Sequence, residues 1–252
     1  MSVLIEDRDG VLVITIDRPE VRNAIDRATA EGIAAALDRL DGEDGLRAGI
    51  VTGGGGYFCA GMDLKAFAAG ERPHAADRGF AGIVQRPPAK PLIAAIEGFA
   101  VAGGFEIALA CDLIVAARGA RLAIPEVKRS LVAAGGALLR LPARIPYHVA
   151  MELALTGEPI DAERAHGLGL VNRVAEPGGA LAGALQLARA IAAGGPLALA
   201  ATKRVVVEAP GWPAEEAWTR QAEIAGPVFA SEDAREGAVA FTEKRAPVWR
   251  GR

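Results

Sequence analysis

A chain of 252 residues and 26.0 kDa is long for one domain and short for two, and points to one α/β domain with an appended segment. Hydrophobic residues at 51% and charged residues at 23% exclude wholesale disorder, and a net charge of −3 with a pI of 5.7 leaves no basic field for nucleic acid. Two cysteines, Cys59 and Cys111, exclude a disulfide framework, and no Cys/His spacing of the zinc type is present; an acidic N-terminal stretch and apolar runs broken by Glu97 and Glu106 argue against a signal peptide and a membrane span, so a cytoplasmic location is expected.

Residues 3–17, "VLIEDRDGVLVITID", are two β-prone runs around Asp9-Gly10, a dipeptide that tolerates the positive φ of a tight hairpin turn. "RPEVRNAID" reads as a loop, and its Asp26 is an N-cap for "RATAEGIAAALDRLDG", whose apolar residues recur at helical steps. "AGIVTGG" is a short strand entering Gly53-Gly54-Gly55-Gly56, and "PLIAAIEG" is another ahead of the Gly103-Gly104 pair that opens the helical "FEIALACD". "LIVAA" and "RLAIPEV" read as further strands. Past residue 130 the pattern turns helical, interrupted by "LVNRV" as a strand, with a last helical stretch from Pro213 to Lys244. The architecture expected is an α/β body over 1–195 followed by a helical region over 196–252.

The glycine run does not end in Gly-Lys-Ser/Thr, which excludes a nucleoside-triphosphate loop, and neither glycine cluster has dinucleotide-loop spacing. Small residues have another use: they let backbone N–H groups approach a ligand oxygen with no Cβ between. "CAGMD" (59–63) and "VAGGFE" (101–106) are therefore candidate oxyanion holes, the second beginning a helix whose positive end favours an anion; glycine-rich turns made for packing are the plain alternative. Glu106, in "AVAGGFEIALACDLIVAA", and Glu126, in "RLAIPEV", stand among apolar residues, where burial raises a carboxyl's pKa and makes a general acid or base. A lone glutamate in either place reads as a surface residue; two, each beside a glycine-rich segment, change that balance.

In order and separation, "YFCAGMDL", "AVAGGFEIALACDL" and "IPEVKRSL…AAGG" resemble the crotonase superfamily, and within it the enoyl-CoA hydratases that keep both catalytic glutamates, here 20 positions apart. The likeness runs from "DRPEVRNAID" to "FTEKRAP". It implies a crotonase-like ββα spiral core with a helical C-terminal trimerisation region. It further implies an acyl-CoA thioester substrate whose carbonyl oxygen is held by the amides of Met62 and Gly103, with Glu106 activating water and Glu126 protonating C2. Val21 and Arg22 would touch the CoA nucleotide, Asp63, Leu64 and Lys65 the pantetheine and adenine, Ala60 would also contact the substrate or CoA, and Phe241 and Lys244 would reach CoA on a neighbouring subunit of a homotrimer or a dimer of trimers. No metal and no cofactor is implied, coenzyme A being part of the substrate.

The chain departs from the family at Val132-Ala133-Ala134, where a Pro-Gly pair is common, and residues 66–88 are polar and poorly periodic where relatives lid the acyl pocket. His74, His148 and His166 lack a partner pattern and are expected on the surface or on helices, Ser130 is in no nucleophile elbow, and Asp112 is expected to be a structural cap or turn residue. Beside hydration stand two other readings: a double-bond isomerase or specialised acyl-CoA dehydratase using the same acids, and a catalytically silent acyl-CoA-binding protein.

Overall fold

The computed structural model describes residues 2–252. Strands β1 (Val3–Arg8) and β2 (Val11–Ile16) form the expected hairpin, with Asp9 (φ 57°) and Gly10 (φ 80°) both left-handed at its turn. Helix α1 (Arg27–Gly42) starts at Asp26, whose carboxylate accepts the Thr29 N–H at 2.8 Å, and buries Ile33, Leu37 and Leu40. Then come β3 (Ala48–Gly53), the short α2 (Leu64–Ala68), the two-residue pair β4 (His74–Ala75) and β5 (Gly79–Phe80), and β6 (Leu92–Ile96). The site region is built from β7 (Phe99–Val101), α3 (Gly103–Ala110), β8 (Leu113–Ala117), β9 (Arg121–Ala123), a 3-10 turn at Pro125–Arg129, α4 (Ala137–Arg144) and α5 (Tyr147–Thr156). The chain closes with β10 (Ile160–Asp161), α6 (Ala162–Gly167), β11 (Arg173–Ala175), α7 (Ala180–Ala192), α8 (Pro196–Glu208), α9 (Ala217–Phe229) and α10 (Glu232–Glu243).

The main sheet has the order β1-β2-β3-β6-β8-β11 and is parallel except at the β1–β2 hairpin. Strand alternation sorts its side chains into two cores. Leu12, Ile14 and Ile16 join α1 and α3 in the larger one, while Val11, Val13, Ile50, Ile93 and Val115 face α7. Ala180, Ala184 and Ala188 repeat every four residues along α7, so a smooth stripe lies flat on the sheet. Asp112 is structural, as expected, although as a tie between elements rather than a cap. Its Oδ2 accepts the Leu92 N–H at 2.8 Å and the Lys203 ammonium at 2.6 Å, fastening β6 to α8.

A second sheet, in the order β10-β9-β7, pairs β7 with β9 in parallel, Val101 opposite Ala123. "RLAIPEV" was expected to be one strand; it ends at Ala123 because Pro125 has no N–H for the ladder and instead opens the 3-10 turn. The eight-residue α4 is an element that the periodicity did not reveal, with Pro142 inside it and two glycines ahead of it. Beyond α7 the character of the surface changes: α8 and α9 bury no residue within the chain, and Trp218, Phe229 and Phe241 are at least 80% exposed. No single helix among the described residues is long and apolar enough to cross a membrane.

Candidate active site

Strand β7 is the spine of the site. On one side the loop 57–61 runs beside it, with the Phe58 and Cys59 N–H groups donating to Phe99 O at 3.2 Å and the Val101 N–H donating to Cys59 O at 3.0 Å. On the other side β9 is in register, and the Ala102 N–H reaches Ala123 O at 2.9 Å. Both glycine clusters and the segment leading to Glu126 therefore leave this small sheet at the same end. The first loop is held by Asn23, fully buried, whose amide donates to the carbonyls of Gly54 and Tyr57 at 2.9 Å each and whose Oδ1 accepts the Arg18 N–H. Sequence reasoning passed over Asn23, since nothing local distinguishes it from a solvated loop asparagine.

The two glycine clusters meet at Gly61 and Gly103. Gly61 has φ +95°, and a Cβ there would stand 3.0 Å from Gly103 N and from Ala102 Cβ. A side chain on Gly104 would run into the Cys59 carbonyl, so the start of α3 packs directly on the loop. Among the hydrogen bonds of the described residues, neither the Met62 nor the Gly103 N–H has an acceptor within the chain, and both residues border one cleft. Gly103 is also the first residue of α3, where the helix leaves its amides unpaired and its dipole positive. Such a pair of amides can hold an oxyanion. Cys59 takes no part: it is fully buried, its sulfur accepts the Gly61 N–H at 3.3 Å, and burial pushes its thiol up to about 12.

The cleft has a volume of about 580 Å³ and a largely apolar lining, and both glutamates border it. Glu106, on α3, is 4% exposed and accepts the Ala137 N–H on Oε1 at 3.2 Å. Burial raises its pKa above the ordinary carboxylate value; the amides of Ala137 and Gly135 and the charge of Arg140 pull the other way. Glu126, in the first turn of the 3-10 segment, is half-buried, and its Oε2 is a buried oxygen with no hydrogen-bond partner among the described residues. Burial raises its pKa too, and the charge of Glu106 raises it further. Two carboxyls with elevated and mutually dependent titrations, one of them holding an uncommitted oxygen, can exchange protons with a molecule lying between them.

Of the residues expected to touch coenzyme A, Arg22, Ala60 and Leu64 border this cleft. Arg22 is exposed, and its carbonyl accepts the Ala60 N–H at 3.0 Å, joining the two loops. Val21, Asp63 and Lys65 do not line it. The Asp63 carboxylate caps α2 through the Lys65 and Ala66 amides and pairs with Arg18 at 3.1 Å, while Lys65 is exposed on α2. Phe241 and Lys244 lie on and at the end of α10, away from the cleft lining, with Phe241 85% exposed. From 66–88, Phe67, His74 and Phe80 contribute to the wall. His74 is on the surface as expected, and its ring meets Phe80 edge-on. His148 is exposed on α5, and His166, on α6, has Nδ1 2.7 Å from Val171 O. Leu131 lines the cleft, as do Val132 and Ala134 of the Val132-Ala133-Ala134 segment.

The sequence pattern of the enoyl-CoA hydratase/isomerase family matches residues 6–252. Enoyl-CoA hydratase EchA19 of Mycobacterium tuberculosis is 43% identical over 260 residues, covering 100% of this chain and 97% of that protein. Carnitinyl-CoA dehydratase of Salmonella typhi is 43% identical over 254 residues, covering 97% of each. The crystal structure of enoyl-CoA hydratase EchA1 from Mycobacterium marinum superimposes with a TM-score of 0.98 at 59% identity, over 100% of this chain and 99% of that one.

Proposed function

This chain belongs to the enoyl-CoA hydratase/isomerase family of the crotonase superfamily, and from that premise we propose that it adds water across the 2,3 double bond of an enoyl-CoA thioester. The observation that carries the reading is the meeting, in one largely apolar cleft, of a buried and a half-buried carboxyl with two amides that lack acceptors among the described residues. The thioester oxygen lies between the Met62 and Gly103 N–H groups. Glu106, as carboxylate, takes a proton from water as its oxygen bonds to C3; the C2–C3 π electrons move onto the thioester oxygen, and the resulting enolate takes a proton at C2 from Glu126. Each of the two donors contributes about 3 kcal/mol to the stability of that oxyanion. In dehydration the same groups exchange roles, and the likeness to a carnitinyl-CoA dehydratase makes a specialised dehydratase the second reading.

Arg22, Ala60 and Leu64 flank the thioester side of the cleft and are the CoA contacts that its geometry supports best. Phe241 and Lys244 serve a neighbouring subunit. The support for assembly is the surface of 196–252: α8 and α9 bury nothing, and their large apolar side chains face outward, as expected of a homotrimer or a dimer of trimers in a cytoplasmic enzyme. Hydration of crotonyl-CoA and longer enoyl-CoAs, followed by loss of the conjugated-thioester absorbance, tests the proposal with Glu106→Gln and Glu126→Gln alongside. Each variant is expected to lose about 10²- to 10⁴-fold in turnover while retaining CoA-ester binding. A wild-type protein that binds the esters and hydrates none refutes it.

A further inference from the structure

Arg140 lies in α4, and its guanidinium donates to two carbonyls, from Nη1 to Gly135 at 3.2 Å and from Nη2 to Val84 at 2.5 Å. The glycine pair 135–136 stands between this side chain and the carboxyl of Glu106. A Cβ on Gly135 would fall on Glu106 Oε2, and a Cβ on Gly136 would fall on Arg140 Nη1. One dipeptide thus has the carboxylate against one residue and the guanidinium against the next, with only backbone between them. The following residue, Ala137, donates its N–H to Glu106 Oε1.

A carboxylate buried to this extent stays charged only if its surroundings compensate the lost hydration. The Gly135 and Ala137 amides supply dipoles, and their orientation depends on a glycine turn that has few intrinsic constraints. We propose that Arg140 is a positioning residue for the base: it clamps the Gly135 carbonyl so that the turn stays against Glu106, and it supplies the positive charge that keeps this carboxylate anionic. The proposal rests on the reading of Glu106 as the base of hydration. Its other hydrogen bond, to Val84, ties the same clamp to the segment following Phe80 in the cleft wall.

The other charged groups around Glu106 do not replace Arg140. Glu126, from the 3-10 turn, opposes ionisation, and Arg129 on that turn acts on Glu126. Arg22 and His74 sit on the cleft lining, and Arg144, further along α4, acts against the charge of Arg140 and donates to Leu109 O at 2.6 Å. Cys111, whose thiol burial pushes up, also faces Arg140 and is neutral when protonated.

Steady-state hydration of crotonyl-CoA across about pH 5 to 9 by wild type, Arg140→Gln and Arg140→Lys tests this. In Arg140→Gln the acid limb of kcat/KM is expected to move up by about one pH unit or more. The deficit in turnover is largest on the acid side and narrows as pH rises, with KM changed less than about threefold. Arg140→Lys keeps the charge without the two-carbonyl fork, so its acid limb stays within about 0.3 unit of wild type while kcat falls. An assembled Arg140→Gln protein with the wild-type acid limb, or with activity lowered equally at every pH, overturns the proposal. If the Gln variant does not fold, an Arg140→Lys protein with either a shifted acid limb or an unchanged kcat overturns it. The carboxyl ¹³C titration of Glu106, assigned with Glu106→Gln, reads the same charge effect without turnover. A shift on Arg140 substitution in a protein that hydrates nothing keeps the positioning role and removes the hydratase reading.

Discussion

Gly61→Ala probes the contact between the two glycine clusters most directly. The residue has φ +95°, where a side chain costs about 1–3 kcal/mol in backbone strain alone. The new methyl would also sit 3.0 Å from Gly103 N and Ala102 Cβ and 3.1 Å from Val101 O, and crowding of that kind in a packed region adds about 1–3 kcal/mol. The combined loss of about 2–6 kcal/mol corresponds to a fall in Tm of roughly 4–24 °C at about 2–4 °C per kcal/mol, leaving a protein of ordinary stability folded at the lower end of that range. Activity should suffer separately. The methyl pushes the Met62 and Gly103 amides apart, and loss of one oxyanion donor is worth about 100- to 1,000-fold in kcat. Thermal melting followed by crotonyl-CoA hydration on the folded fraction separates the two effects. A folded Gly61→Ala protein with kcat within about threefold of wild type would refute the assignment of the two amides to the oxyanion.

Glu106→Gln should raise Tm at neutral pH while lowering turnover about 10²- to 10⁴-fold. Because the folded pKa of Glu106 lies above its unfolded value, the native state binds more protons in that window, so stability falls as pH rises through it; the penalty is present in full above the folded value, and the neutral amide removes it. Melting curves at acid and neutral pH check the sign: the Tm advantage of the variant should shrink on acidification. Asn23→Ala leaves the carbonyls of Gly54 and Tyr57 without their side-chain donor, at about 0.5–1.5 kcal/mol for each bond, and should lower both Tm and activity by loosening the first loop. Cys59 is buried with its thiol raised to about 12, so alkylating reagent at about pH 8 should leave it unmodified in the native protein; rapid labelling with loss of hydration would contradict the inert role given to it.

Much of this protein is determined locally and can be read from its sequence. The Asp9-Gly10 turn, the Asp26 cap and the four-residue alanine repeat of α7 act through neighbours within a few positions, so their chemistry is visible in the letters. The two glutamates could be recognised because a carboxyl among apolar residues breaks the pattern, and their spacing and company carried the family resemblance. The tertiary structure decided which small residues matter and for what. That Gly61 faces Gly103, that Gly135 leaves room for Glu106 while Gly136 leaves room for Arg140, and that Asn23 spans two carbonyls about thirty positions away are properties of parallel register and loop packing. A glycine written in a sequence records only that no side chain is present; what occupies the space is set by a segment distant in the chain. The outward faces of α8, α9 and α10 mark the same boundary: their apolar residues are legible one by one, and whether they are covered within the chain is decided by how it folds.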